Sequence, residues 1–140
     1  MSIWKISATP AEMNRRSGHS LSTYFGIQFT EVGDNYVKAT MPVDERLMQP
    51  LGIMHGGASC VFAETVGSTA ANFCVDIAHY FCVGLDINTN HLRPVRSGEL
   101  IATARPYHLG KTTQVWSIEI HDREGKLVSV TRLTLSIQTR

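Results

Sequence analysis

The residues best suited to chemistry lie close together in one stretch, from Gln49 to Ser68. Gly56 and Gly57 stand where a helix is expected to begin, and the first N–H groups of a helix have no partner within it. Together with the positive end of the helix dipole, such amides can stabilise an oxyanion. Glu64 is the only carboxylate of this helix. A lone glutamate can act as general base on water or attack a carbonyl itself.

The spacing of these groups predicts a site shared between two chains. Glu64 follows Gly57 by seven residues, which is about 10 Å along a helix. One small carbonyl can hardly touch both groups, even though a helical side chain leans toward the N-terminus. We therefore expect the glycines of one subunit to act with Glu64 of another. His55 is expected to cap the helix, orient a loop or touch substrate, and Gln49 offers a neutral donor and acceptor beside it.

The surroundings of Glu64 favour a functional position over an ordinary solvated one. Most helical glutamates lie on a solvent-facing surface, but the residues at spacing four from Glu64 are small or uncharged: Cys60, Ser68 and Asn72. The other side of the helix carries an apolar stripe that predicts burial against a sheet.

Several other chemistries lack their motifs in this chain. There is no Gly-x-Ser-x-Gly elbow, no His-Glu-x-x-His pair, no cysteine and histidine cluster and no glycine-rich nucleotide loop. The six histidines are scattered. These motifs therefore give no support to a zinc site or to a nucleotide-binding loop.

Composition narrows the class of protein. The 140 residues predict a single domain, 1–140, with a net charge of +1, which argues against a nucleic-acid partner. No apolar run is long enough for a membrane span, and Met1–Arg16 lacks the apolar core of a signal peptide. Three cysteines without a CxxC pair are typical of reduced, buried thiols. The expected location is the cytoplasm, with no membrane partner.

Hydrophobic periodicity predicts an α+β fold. One long helix is expected from Gly57 to about Cys74, after a short helix in Ser7–Arg16. The predicted strands are Tyr24–Thr30, Tyr36–Val43, Tyr80–Leu92, Leu100–Tyr107, Thr113–Asp122 and Lys126–Gln138. Their short connections favour antiparallel pairing. The economical arrangement is a curved antiparallel sheet of about six strands wrapped around one central helix.

The motifs, in this order, resemble the hot-dog-fold acyl-CoA thioesterases. The nearest group is the PaaI-like one, with the 1,4-dihydroxy-2-naphthoyl-CoA hydrolases and the proofreading thioesterases of enterobactin biosynthesis. The resemblance covers nearly the whole chain and is specific in combination. Its motifs are Gln49-Pro50-x-Gly52-x-x-His55-Gly56-Gly57-Ala58-Ser59, Ala63-Glu64-Thr65-x-Gly67-Ser68, Val83-Gly84-Leu85-Asp86-Ile87-Asn88-x-Asn90-His91-x-Arg93 and His108-Leu109-Gly110.

The resemblance implies a hot-dog fold, hydrolysis of an acyl-CoA with an aromatic or medium-size acyl group, and homodimers paired into tetramers. It also implies that the protein uses no metal and no bound cofactor. It implies Glu64 as nucleophile or base, the Gly56 amide as oxyanion donor and Ser68 as an aid to Glu64 or its water. Gln49 and His55 would position the thioester. The residues implied in substrate binding are Gly57, Gly84, His91, Leu92, Arg93, Pro94, His108, Leu109, Gly110 and Lys111.

Departures from the group bear on specificity. Leu51 stands where the group often has phenylalanine, Val75–Phe81 is one residue longer, and the turn after His108 lacks an arginine sometimes found there. Two other readings stay open. One is a hot-dog hydratase or dehydratase, although these usually pair a histidine with their carboxylate. The other is a non-catalytic acyl-CoA sensor, which would be recognised by the absence of a usable carboxylate at position 64 or by an added DNA-binding segment. A plain interaction protein would leave Glu64 unexplained.

Overall fold

The computed structural model describes residues 1–140 and consists of one six-stranded sheet around a long helix. Two short helices, α1 (Pro10–Ser17) and α2 (Leu21–Tyr24), precede strands β1 (Gln28–Val32) and β2 (Val37–Val43). A 3-10 turn, Glu45–Leu47, leads to the long helix α3 (Gly56–Phe73). The remaining strands are β3 (Tyr80–His91), β4 (Gly98–Leu109), β5 (Thr113–His121) and β6 (Leu127–Thr139).

All strand pairs are antiparallel, and the order across the sheet is β1-β2-β4-β5-β6-β3. This confirms the predicted α+β hot-dog architecture. Strand β3 follows α3 in sequence but joins the sheet at its far side, beside β6. It therefore forms one free edge, and β1 forms the other.

The core lies between α3 and the concave face of the sheet. Phe62, Val66 and Ala70 on α3 are fully buried, as the apolar stripe predicts. Trp116 and Leu133 of the sheet are also fully buried. Removing large apolar side chains from water is the main stabilising contribution to such a core.

The segment before β1 differs from its prediction. Tyr24 ends helix α2, and the strand begins only at Gln28, whereas the apolar pattern predicts a strand from Tyr24 to Thr30. Ser20 and Thr23 form a capping box that starts a helical turn. Gly26, at φ 72°, then turns the chain into β1. The capped helical turn thus decides the structure around Tyr24, although the alternation of apolar and polar side chains there is typical of a strand.

No helix in the chain combines the length and apolar character needed to cross a bilayer.

Candidate active site

The loop before α3 holds Gln49 and His55 at the start of the helix. Its backbone is fixed by hydrogen bonds from His55 N to Leu47 O at 2.7 Å and from Gln49 N to Ile53 O at 2.9 Å. Gly52 supplies the turn between them, at φ 75°. The Gln49 side chain accepts a hydrogen bond from the Leu51 N–H, which holds its amide oxygen near the loop backbone.

His55 is the N-cap of α3. Its Nδ1 accepts a hydrogen bond from the Gly57 N–H at 2.8 Å. This geometry places the neutral ring's proton on Nε2. The Gly57 amide is therefore occupied, and the Gly56 N–H is the one of the two glycine amides without a hydrogen-bond partner in the chain. The structure therefore distinguishes the two amides, which the spacing of the residues in the sequence does not.

Gly56 opens onto a cavity of about 370 Å³. The cavity brings together six of the residues predicted for the site: Gln49, Gly56, His91, Leu92, Arg93 and Pro94. The His91 ring lies directly over Gly56, because a Cβ at position 56 would come within 2.9 Å of His91 Nε2. A larger residue at position 56 would therefore displace the ring or close the approach to the amide.

Part of the cavity wall was missed by the sequence reasoning. It consists of Ile53, Met54, Ser59, Val95 and Val128. Ser59 faces away from the predicted line of polar residues on α3, and Val128 belongs to a strand distant in sequence. Only the packing of β6 against the start of α3 brings these side chains together.

Glu64 lies away from this cavity, next to the free edge of the sheet. It is half-buried, and its carboxylate makes no hydrogen bond or ion pair within the chain. Its Oε1 contacts the backbone of Gly84 on β3, where a Cβ would collide with it. Gly84 therefore makes room for the carboxylate rather than contributing a side chain.

The distance between these two places exceeds the reach of one small substrate group. Gly84 pairs with Leu135 and His91 with Ser129 on β6. Six residues along a strand correspond to about 20 Å, and Gly56 and Glu64 themselves are separated by eight residues, or about 12 Å, along the axis of α3. Within one chain, the carboxylate beside Gly84 and the free amide beside His91 are thus widely separated.

The other predicted residues are spread over the molecule. Ser68 lines a cavity beside α1, His55 and Gly57 line another near Arg46, and His108 lies on the outer face of the sheet. Leu109 is exposed at the end of β4. Gly110 and Lys111 lie near Cys74, at the end of the sheet opposite the His91 cavity.

The two cations among the predicted substrate-binding residues are free of carboxylate partners. Arg93 and Lys111 form no ion pair within the chain. Arg46, by contrast, pairs with Asp44 at 2.9 Å, and its guanidinium holds the pKa of that carboxyl below its usual value. The unpaired cations suit binding of phosphate groups.

The model of one protein family, the thioesterase superfamily, matches residues 51–129 of the chain. A 1,4-dihydroxy-2-naphthoyl-CoA hydrolase of Escherichia coli is 43% identical over 135 residues, covering 96% of this chain and 98% of that protein. A solved thioesterase variant from Pseudomonas aeruginosa superposes with a TM-score of 0.96 at 42% identity, covering 99% of this chain and 100% of the other. A solved thioesterase from Haemophilus influenzae superposes with a TM-score of 0.93 at 47% sequence identity, covering 98% of this chain and 95% of the other.

Proposed function

This chain belongs to the thioesterase superfamily and is a thioester hydrolase, and from that premise we propose that its substrate is an acyl-CoA with an aromatic or medium-size acyl group. The name of the Escherichia coli relative makes 1,4-dihydroxy-2-naphthoyl-CoA a first candidate. Water would convert the thioester into a free acid and CoA.

The observation that carries the proposed mechanism is the separation of two unpartnered groups. The Gly56 N–H opens onto a cavity, and the Glu64 carboxylate faces the open edge of β3. In the mechanism, the amide stabilises the oxyanion while Glu64 activates water or attacks the carbonyl. These roles require a second copy of the chain to bring its Glu64 to the first copy's Gly56.

The free edge of β3 is where the second copy would pair. β3 has twelve residues and a neighbour on one side only. Val83 and Leu85 on it are 42% and 62% exposed. Long edges of this kind favour pairing with another strand. If two copies pair antiparallel with Gly84 opposite His91 of the second copy, Glu64 of each faces Gly56 of the other.

The same pairing would complete the binding of CoA. Antiparallel strands reverse direction, so the Tyr80 end of one copy would adjoin the His91 end of the other. Lys111, located near Tyr80 in its own chain, would then approach the Arg93 cavity of the second copy. Two unpaired cations from different chains would be available to the CoA phosphates.

A direct assay tests the reaction and the acyl group. The purified chain is mixed with benzoyl-CoA, hexanoyl-CoA, 1,4-dihydroxy-2-naphthoyl-CoA, acetyl-CoA and crotonyl-CoA, and released thiol is trapped with a disulfide reagent. We expect faster release from the aromatic and medium-size thioesters than from acetyl-CoA. Loss of the crotonyl double bond without thiol release would identify a hydratase, and no release from any substrate would overturn the proposal.

Position 56 allows the amide itself to be removed. His55 is extended, at φ −61° and ψ 132°, which is compatible with a following proline, and proline is favoured at the first helical position. Gly56→Pro deletes the N–H, while Gly56→Ala keeps it and adds a similar Cβ. We expect kcat of the proline variant to be about 100-fold or more below that of the alanine variant. Equal rates would remove the amide from the mechanism.

Mixed dimers test the sharing of the site. Chains carrying Glu64→Gln and chains carrying Gly56→Pro are each expected to be inactive, but a hybrid dimer contains one site with both native groups. Random reassociation of equal amounts should restore about one quarter of the parental activity in a two-fold dimer. No recovery, with hybrids verified by mass spectrometry, would place both groups in one chain.

A further inference from the structure

Each of the two free edges of the sheet has one residue whose backbone is hydrogen-bonded to an asparagine side chain from a helix. On β3, the Cys82 N–H donates to Asn72 Oδ1 at 2.8 Å, and Asn72 Nδ2 donates to the Cys82 carbonyl at 3.2 Å. On β1, Asn14 makes the same two bonds with Phe29, at 2.8 and 3.0 Å. Each asparagine therefore occupies both backbone groups of one edge residue, as a neighbouring strand would.

The amide of Asn72 is held firmly in this position. Its Nδ2 also donates to the Ser68 carbonyl one turn earlier on α3, at 2.9 Å. Asn72 thus joins the helix that carries Glu64 to the strand that carries Gly84. It is the last member of the line of polar residues that includes Glu64.

Occupying Cys82 limits the part of β3 on which another strand can pair. Backbone groups on an antiparallel strand point alternately to its two sides. Beyond Cys82, the next groups that face outward belong to Gly84 and, after the bulge between Gly84 and Asp86, to Ile87, Thr89 and His91. The available edge therefore begins at Gly84.

We propose that Asn72 is a positioning residue that sets the register of the second copy on β3. This inference rests on the proposed function, in which two copies pair along β3 and share their sites. In the productive register Gly84 lies opposite His91 of the second copy, and Asn88 lies opposite itself. The competing register, shifted by one hydrogen-bonded pair, would place His91 opposite Cys82, whose backbone groups Asn72 already occupies.

The blocked register would also be an unproductive one. It would bring Thr89, rather than His91, of the second copy opposite Gly84. Glu64 would then lie about 7 Å, or two strand residues, from its place beside the other copy's Gly56. A displacement of this size is enough to disconnect a base from an oxyanion donor.

The matched variants are Asn72→Leu and Asn14→Leu, which remove the same pair of hydrogen bonds from opposite edges. We expect kcat to fall at least about 10-fold in Asn72→Leu with less than about a threefold change in KM, and Asn14→Leu to stay within about twofold of the parent. Tm is measured for both. If Asn72→Leu and Asn14→Leu lose similar amounts of Tm and keep similar kcat values, Asn72 acts only on stability, and the inference is overturned.

Asn72→Asp provides a second variant if the leucine variant does not fold. Its carboxylate still accepts from the Cys82 N–H but can no longer donate to the carbonyl. We expect its kcat to lie between those of the parent and Asn72→Leu. A kcat equal to that of the parent would show that the hydrogen bond from position 72 to the Cys82 carbonyl has no part in positioning and would count against the proposal.

A cross-link reports the register itself. Asn88 is exposed, and in the productive register its Cβ faces that of the second copy at a distance suited to a disulfide. Asn88→Cys should therefore form a dimer on a non-reducing gel, and the yield should fall at least about twofold when Asn72→Leu is added. An unchanged yield would overturn the role of Asn72, whereas a parent chain without thiol release or dimers would overturn the proposed function instead.

Discussion

At the scale of single residues, the contact between Glu64 and Gly84 shows how a missing side chain can serve a site. The glycine lies on the concave side of β3, and a Cβ there would collide with Glu64 Oε1. The carboxylate is left with no hydrogen-bond partner in its own chain. A group in this state is available to a substrate or a water molecule supplied from across the edge.

Gly84→Ala is expected to lower kcat at least about 10-fold by displacing the Glu64 carboxylate, with little change in Tm. The measurement is steady-state thiol release with the best acyl-CoA. In a Glu64→Gln background, the same change should have almost no further effect, because residues that act together are not additive. Additive losses in the double variant would mean that Gly84 acts independently of Glu64.

The thiols provide a second residue-scale prediction. Burial raises the pKa of Cys74 to about 12 and that of Cys82 to about 11. Because the thiolate is the reactive form, both should remain unmodified by a maleimide at pH 7.5 in the folded protein. Mass spectrometry should find at most Cys60 labelled, and all three after unfolding in guanidinium. Rapid labelling of Cys74 in the folded chain would contradict this.

At the scale of elements, polar side chains make hydrogen bonds at both ends of α3. His55 caps its start, and Asn72 binds its last turn to β3. Near the same end, the buried Gln114 accepts from Trp116 Nε1 at 2.8 Å and donates to the Ala71 carbonyl at 3.3 Å. The hydrogen bonds of Asn72 and Gln114 fix the position of the end of α3 relative to the sheet, which apolar packing alone constrains less strongly.

His55→Ala should destabilise the chain by about 0.5–2 kcal/mol, since it removes the cap from the Gly57 N–H. His55→Asp is the matched variant, because a carboxylate can accept the same hydrogen bond and is favoured at a helix start. The free energies of unfolding are measured in urea. If the aspartate variant is no more stable than the alanine variant, the cap contributes nothing to stability.

At the scale of the whole molecule, the free edge of β3 is the feature that the isolated chain leaves incomplete. The β1 edge has only five residues, against twelve in β3, and a short edge strand discourages pairing. The β3 edge is long and carries exposed apolar residues. This asymmetry predicts that two copies pair through β3 and not through β1.

Lysines at Val83 and Leu85 should separate the proposed dimer, because edge lysines oppose strand pairing. Sedimentation velocity should show monomers, and thiol release should fall with the dimer because each site needs two chains. Leu21→Lys, at an exposed apolar residue on α2, is the control and should leave both unchanged. A monomeric lysine variant with full activity would refute the shared site.

Much of this protein could be predicted from local patterns. The alternation in Thr113–His121 and the spacing of apolar residues in α3 depend on neighbours close in sequence, so they identify strands and a helix directly. The short connections between the predicted strands indicated antiparallel pairing, which made a sheet wrapped around that helix the economical arrangement. The one misplaced element, at Tyr24, lies where a capping box and a strand pattern compete over a few residues.

The sequence by itself determined which groups are available for chemistry: a glycine amide at a helix start and a lone glutamate two turns later. Only the tertiary structure decided how they are used. Hydrogen bonds between residues distant in the chain, such as Asn72 with Cys82, and the placement of β3 beside β6 have no local signature. They arise because the chain must satisfy its buried polar groups while closing around one core, and this places Glu64 at an open edge and Gly56 in a separate cavity.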